Sequence, residues 1–300
     1  MADIHYLILS QGVEAARRQA VTKHERQLVE AAFRVLTDEQ ESIGFTYSGF
    51  ALTSLPHKEQ KETVWKREGH NITLVLQSGA DRTGKWVGLP YGSHARFILL
   101  FLQSEAVRKG TREVELGGTM REWMSRMGLT YGGKTARLVR EQARRISMCR
   151  LTFFGNTSDQ DLLRHGGFVE GALNMSSALY TQPSLWNDRV LLDETFYKAL
   201  CAHPVPVSET ALRAIGPRSA SIDIYVWLAY RLHALRRDTL VSWVSLYTQF
   251  GAGYKRIRAF RQEFTSGLEL ALAAYPDARV SVDDRGVTLH PSRPAIAKRQ

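Results

Sequence analysis

Two stretches of this 300-residue chain gather arginine and lysine in a way that suits a polyanion. From Gly132 to Arg150 it reads GGKTARLVREQARRISMCR, with Lys134, Arg137, Arg140, Arg144, Arg145 and Arg150 against one acid, Glu141. Ala136, Val139, Ala143 and Ile146 recur at helical spacing, which predicts an amphipathic helix whose wet face is mostly arginine. From Tyr254 to Leu272 (YKRIRAFRQEFTSGLELAL) the apolar face is Ile257, Phe260, Phe264, Leu268 and Ala271. Lys255, Arg256, Arg258 and Arg261 crowd the first two turns of that helix. Cations at a helix N-terminus oppose the macrodipole, at about 0.3 kcal/mol or more each, and are better tolerated when an anion will sit there. Guanidinium groups hold phosphate and can bond bidentately to guanine. Either helix taken alone could equally be a solvated arginine-rich face.

Other chemistries find less support. Gly128 to Thr135 spells GLTYGGKT, a letter-for-letter match to the nucleotide-binding expression GxxxxGK[ST]. That loop works when a buried strand feeds it, whereas the preceding MREWMSRM has a helical pattern and no β-branched residue. A helix-turn-helix turn is the better reading, with the first amides of the helix, Lys134 and Thr135 placed to hold a DNA phosphate. The nine histidines, among them His57, His70, His94 and His165, show no HxH or HExxH spacing, which argues against a metal-dependent tyrosine nickase. His94 reads as a capping or packing residue. No GxSxG elbow occurs, and neither Cys149 nor Cys201 has a nucleophile context. Trp123, Trp227 and Trp243 fall at helical positions expected in the core. No catalytic residue, metal or cofactor is expected.

The two basic helices share a local context. Before the first come a long apolar helix (Ser93–Lys109), a short strand (Arg112–Leu116), a short helix (Thr119–Met127) and the turn Gly128–Gly133. Before the second come a helix (Ser219–Leu235), a strand (Thr239–Val241), a short helix (Ser242–Gln249) and the turn Gly251–Gly253. Strand patterns follow each: Cys149–Phe154, Phe168–Leu173 and Val190–Thr195 in one copy, Arg279–Val282 and Gly286–Leu289 in the other. This order is that of a winged helix-turn-helix domain, in which the third helix enters the major groove and a hairpin wing, here tipped by Arg285, touches the backbone. The expected fold class is α+β, with two tandem winged-helix domains. Residues 1–87 are expected as an N-terminal extension packing on the first domain. Residues 88–202 would form that domain, and 203–300 the second, entered through His203-Pro204-Val205-Pro206 and ending in a short basic tail. Within the extension, Val13–Leu36 reads as one charged helix, Gly44–Ser54 as extended and Asn71–Gln77 as a strand.

Composition sets the frame. Forty Lys and Arg against thirty Asp and Glu leave a formal charge of +10, and the 44% hydrophobic content is ordinary for a folded protein. Two distant cysteines fit a reducing compartment. The longest apolar runs, Phe97–Leu102 and Ile222–Leu228, are too short to cross a bilayer, and the start Met1-Ala2-Asp3 has no signal-peptide character, so a cytoplasmic protein with no membrane partner is expected.

Several long motifs resemble the plasmid-encoded RepA replication proteins of proteobacteria. They are GLPYGSHARFILLFLQSEAV (Gly88–Val107), REVELGGTMREWMSRMG (Arg112–Gly128), GGKTARLVREQARRIS (Gly132–Ser147), CRLTFF (Cys149–Phe154) and VSWVSLYTQFGAGYKRIRAFRQEF (Val241–Phe264). The resemblance spans about Gly44 to Pro291. It implies a non-enzymatic initiator that binds repeated origin sites in double-stranded DNA and promotes their opening. Related initiators carry two winged-helix domains, bind the origin as monomers, repress their own gene as dimers, and recruit host replication proteins including the replicative helicase. DNA contact is thereby carried onto Lys134, Thr135, Arg137, Arg140, Arg144 and Arg145, onto Tyr254, Lys255, Arg256, Arg258 and Arg261, and onto Arg285. A homodimer through the first domain is expected because the strand-rich stretch Phe154–Ala202 has edges to cover. The rival readings are a winged-helix transcriptional repressor and a nucleotide-dependent DNA protein using Gly128–Thr135.

Overall fold

A computed structural model describes residues 4–40, 42–155, 164–170 and 189–296. In chain order the elements are helices α1 (Ile4–Gln11), α2 (Val13–Gln19) and α3 (Lys23–Leu36), strand β1 (Ile43–Tyr47), α4 (Ser48–Leu52), β2 (Val64–Gly69) and β3 (Ile72–Gln77). Then follow α5 (Gly92–Lys109), β4 (Glu113–Glu115), α6 (Met120–Arg126), α7 (Gly133–Met148), β5 (Arg150–Gly155), β6 (Arg164–Gly167), β7 (Val169–Glu170) and β8 (Arg189–Leu192). The rest are α8 (Glu194–Ala202), β9 (Pro204–Ser208), α9 (Glu209–Ile215), α10 (Ser219–Arg231), β10 (Thr239–Ser242), α11 (Trp243–Phe250), α12 (Ile257–Ala273), β11 (Val280–Val282) and β12 (Gly286–Leu289).

The chain divides into an inserted unit, Phe45–Pro204, and a split unit made of Met1–Gly44 with Val205–Gln300. This differs from the expected partition, in which residues 1–87 lay together on the first domain. The physical reason lies in α3. Its apolar stripe, Leu28, Val29, Ala31 and Ala32, is buried in the split unit, where the helix packs on α9 and α12. Two polar links reinforce this: His24 pairs with Glu269 of α12 at 2.8 Å, and His5 bonds the Ala273 carbonyl at 2.9 Å. Val13–Leu36, expected as one helix, breaks into α2 and α3. Thr22 starts α3 by accepting from the Glu25 amide at 3.1 Å, while the Glu25 carboxylate accepts the Thr22 amide at 2.8 Å, a reciprocal capping box. Gly44–Ser54, expected as extended, is strand only to Tyr47 and then turns into α4.

The core of the inserted unit is α5. It buries Ala95, Ile98, Leu99, Leu102 and Ala106 together with Gln103, Ser104 and Glu105, so nearly its whole circumference is covered. It packs against α7, α8 and β4, and Gly110, at φ 63°, ends it in the left-handed region. An antiparallel sheet of order β2-β3-β5-β6 lies in the same unit. Tyr47, Phe50, Phe153, Phe168 and Phe196 meet there in a mostly edge-to-face nest, with ring centroids 5.1 to 6.3 Å apart. Cys149–Phe154, expected among the strands that complete the first winged-helix domain, is a strand but belongs to this larger sheet. Its strand β5 pairs instead with β3 and β6, and the small sheet beside α6 has the order β4-β8-β7.

The split unit repeats that arrangement. Helix α10 is followed by β10, α11, α12, β11 and β12, with strand order β10-β12-β11. In the inserted unit α5, β4, α6, α7, β7 and β8 come in the same order, with β5 and β6 inserted between α7 and β7, and in both copies the last strand pairs between the other two. The segment joining β7 to β8 lies outside the described residues, as does the part of the expected strand Phe168–Leu173 beyond Glu170. No helix among the described residues is long and apolar enough to cross a membrane.

Candidate nucleic-acid interface

The first basic helix is set up by the one before it. Thr119 caps α6 by accepting from the Glu122 amide at 3.1 Å, and the Glu122 carboxylate accepts the Gly118 amide at 2.9 Å. Helix α6 then closes on Gly128, which takes φ 72°. The Leu129 amide reaches back to the Met124 carbonyl and the Gly128 amide to Ser125, both at 2.8 Å, the paired bonds of a glycine-terminated helix. The first glycine of the nucleotide-like string thus terminates a helix, and the loop is fed by α6, where a phosphate-binding loop needs a strand.

Helix α7 buries Ala136, Val139, Ala143 and Ile146, as their spacing predicts. Its N-cap is Gly132, with no side chain closing over the first amides and no acid in the first turn. Lys134, Arg137 and Arg140 are exposed, and none forms an ion pair among the described residues. Thr135 is half-buried beside them.

Two other arginines of α7 are engaged. Arg144 is exposed but pairs with Asp81 at 3.1 Å. Arg145 is buried, which removes it from the exposed cationic face. Its guanidinium pairs with Glu59 and, at 2.7 Å, with Glu141; it donates to the Leu89 carbonyl at 3.1 Å and lies 5.0 Å from the Tyr91 ring centroid. It follows Arg144 directly, and a helix turns about 100° per residue, so neighbouring arginines face different surroundings.

The second helix begins alike. Ser242 caps α11, and a turn containing Gly253 at φ 90° leads to α12. Tyr254 is structural in part: its carbonyl accepts the Tyr247 hydroxyl and its ring meets Phe260 edge-on at 5.7 Å. Lys255, Arg256 and Arg258 are exposed, and none forms an ion pair among the described residues. Arg256 is the N-cap and offers no side-chain cap, so the first amides of α12 are also left open. Lys134 and Arg258 each occupy the second residue of their helix.

Arg261 turns away from this cluster, lying over Trp243 and donating to the Asp284 carbonyl in the β11–β12 turn. Arg285, at the tip of that turn, is exposed and held by Asp283 at 2.9 Å. The Arg285 bonds keep the Asp283 carboxyl below the usual carboxylate range. Such surface pairs are worth at most about 1 kcal/mol and are readily exchanged for a phosphate.

Two residues near α7 escaped the sequence reading. Arg121 of α6 lies 4.4 Å from the ring centroid of Tyr131, which stands exposed beside Gly132. Ten residues separate them, and no periodicity links a helix to the loop after it.

Residues 89–245 match the family model described as plasmid encoded RepA protein. No curated protein matches the chain. Among solved structures, domains 2 and 3 of RctB, as a selenomethionine derivative, align with a TM-score of 0.51 at 11% identity, over 83% of this chain and 99% of that one. A second structure of RctB domains 2–3 aligns with a TM-score of 0.38 at 11% identity, over 80% and 93%. The first likeness is one of fold.

Proposed function

The chain belongs to the plasmid-encoded RepA family, and on that premise we propose that it is a replication initiator, a non-enzymatic protein that grips repeated origin sites with two winged-helix domains. The observation that carries this reading is the repeat. Both units run helix, strand, helix, turn and basic helix, and in both the short strand before the second helix joins two later strands in a sheet with the last strand central; in the inserted unit β5 and β6, which belong with β3 to another sheet, come between. That order supports a winged helix-turn-helix reading. Each copy presents three exposed cations without ion-pair partners among the described residues: Lys134, Arg137 and Arg140 along the first half of α7, and Lys255, Arg256 and Arg258 at the start of α12, the first two just before the helix. A merely solvated face would not place open amides and unpaired cations at the same point of two copies.

In this reading α7 and α12 each enter a major groove. Lys134 and Arg258 meet phosphate at the helix starts, where amides and dipole add to their charge. Arg137 and Arg140 lie one and two turns further along and reach base edges. The β11–β12 hairpin is the wing of the second domain, bringing Arg285 to the backbone. Arg145 supports α7 from inside, and Arg144 reaches DNA by exchanging Asp81 for phosphate. Recruitment of the host initiator and replicative helicase belongs to the same reading. So does a homodimer through the first domain, although much of the strand-rich stretch invoked for it lies outside the described residues.

The test is replication supplied in trans. A plasmid bearing the DNA beside the gene as its only origin is expected to be maintained when the protein is expressed, and lost when Lys134, Arg137 and Arg140 are changed to Ala. Repression of the gene's own promoter without plasmid maintenance would favour a repressor. Micromolar ATP affinity abolished by Lys134→Ala would favour the nucleotide-dependent reading.

A further inference from the structure

A tight turn in the inserted unit carries charge and an aromatic surface that folding does not explain. Ala80 and Trp86 bridge antiparallel, the Asp81 amide donates to the Lys85 carbonyl at 2.8 Å, and the Val87 amide to Gly79 at 3.0 Å. Gly84 takes φ 81° at the tip, a conformation that costs glycine little. Asp81 organises the turn: one carboxylate oxygen accepts the Thr83 amide at 2.9 Å, the Thr83 hydroxyl at 2.6 Å and the Lys85 amide at 3.2 Å. Its other oxygen pairs with Arg144 of α7 at 3.1 Å.

Both stems of the turn are fitted to the C-terminal half of α7. A Cβ on Gly79 would lie 2.2 Å from the Met148 carbonyl oxygen, and one on Gly88 would lie 2.6 Å from Arg145 Nη1. The tip is therefore held at a set place beside the basic helix. It exposes Arg82, Lys85 and Trp86, the last at 54% of its surface. Neither cation forms an ion pair among the described residues. Trp123 is wholly buried, as so large an apolar side chain ordinarily is, whereas Trp86 leaves about half of its surface in solvent.

We propose that the turn 81–86 is a second DNA contact of the inserted unit, in which Arg82 and Lys85 hold backbone phosphates of the duplex beyond the stretch served by the start of α7, with Trp86 against the sugar face. This rests on the reading of α7 as a DNA-binding helix. From Lys134 to Arg144 the helix advances about 15 Å, roughly four base steps, so the tip carries contact further along the duplex. In the free protein the Asp81–Arg144 pair links the turn to α7, and the close-fitting stems at Gly79 and Gly88 keep the tip in place when Arg144 turns to phosphate.

The experiment uses the full chain and a duplex it has selected from a random-sequence pool, alongside a single strand of the same sequence. Affinity and its salt dependence are measured for the wild type, the double variant Arg82→Ala/Lys85→Ala, Trp86→Ala, and Arg137→Ala/Arg140→Ala. The turn double variant is expected to bind the duplex about ten-fold more weakly or worse, with a salt slope lower by about two. Trp86→Ala should weaken duplex binding and leave the slope unchanged. All the altered side chains are exposed, and unchanged melting curves show that folding is retained. If the α7 variant loses affinity while the turn variants match wild type, the turn contact is wrong and the α7 reading stands. If the turn variants weaken only single-strand binding, the duplex assignment is overturned. If the α7 variant is silent, the reading on which both rest fails.

Discussion

The guanidinium of Arg261 in α12 lies 4.8 Å from the ring centroid of Trp243, the first residue of α11. The same guanidinium donates to the Asp284 carbonyl, and Trp243 Nε1 donates to the Asp283 carbonyl at 2.9 Å, so both residues grip the β11–β12 turn. The second basic helix, its partner helix and the hairpin tip are thereby fixed to one another through two side chains. Arg261→Ala should lower stability by about 1–2 kcal/mol through the lost ring contact and hydrogen bond. Its DNA affinity should fall with the salt slope nearly unchanged, because the guanidinium is engaged by Trp243 and the Asp284 carbonyl and positions the hairpin. Thermal melts and salt titrations of that variant check both parts.

Lys134 stands in the first turn of α7, where its charge opposes the helix dipole. Lys134→Glu should therefore raise stability by about 0.3–1 kcal/mol while cutting DNA affinity by ten-fold or more. Arg258→Glu, at the matching place in α12, should behave alike. Denaturant unfolding beside a binding titration gives the two signs, and a loss in both quantities would mean that these cations serve the fold.

Arg145 is the opposite case. Its ion pairs with Glu59 and Glu141 and its bond to the Leu89 carbonyl hold residues 59 and 89–91 on α7. Arg145→Ala should cost about 2–4 kcal/mol, read from the denaturation midpoint. DNA binding by the fraction that stays folded should keep the wild-type salt slope.

The two cysteines differ sharply. Burial pushes the Cys149 thiol up to about 12, while Cys201 is exposed. A thiol reagent should modify one cysteine in the native protein and two in denaturant. In linkage terms, the unfolded thiol releases its proton near 8.5 while the folded one keeps it, so Cys149 contributes a loss of stability as pH rises above about 8.5. Cys149→Ser should reduce that alkaline loss in pH-dependent melts.

Much of this was legible in the chain. Ala136, Val139, Ala143 and Ile146 at helical spacing placed α7 to within two residues at each end, and the turn Asp283-Asp284-Arg285 placed the final hairpin. What escaped were relations between distant segments. Periodicity marks which face of α3 is apolar but not that it packs on α9 and α12, more than 170 residues away in the chain. Arg144 and Arg145 look alike in sequence, and only the packing of residues 59 and 88–91 separates them. Trp86 was missed because tryptophan is expected in cores, and its exposure is decided by a turn whose stems must close on α7.

The most direct test of the central claim is the salt dependence of binding to a selected duplex. Lys134, Arg137 and Arg140 are changed to Ala in one variant, Lys255, Arg256 and Arg258 in another, and all six in a third. The account predicts that each triple variant lowers the slope of log affinity against log salt by up to about three, and that the sixfold variant combines the two losses and falls to weak binding. A triple variant with wild-type affinity and slope would contradict the account for that helix, and two such variants would contradict it altogether.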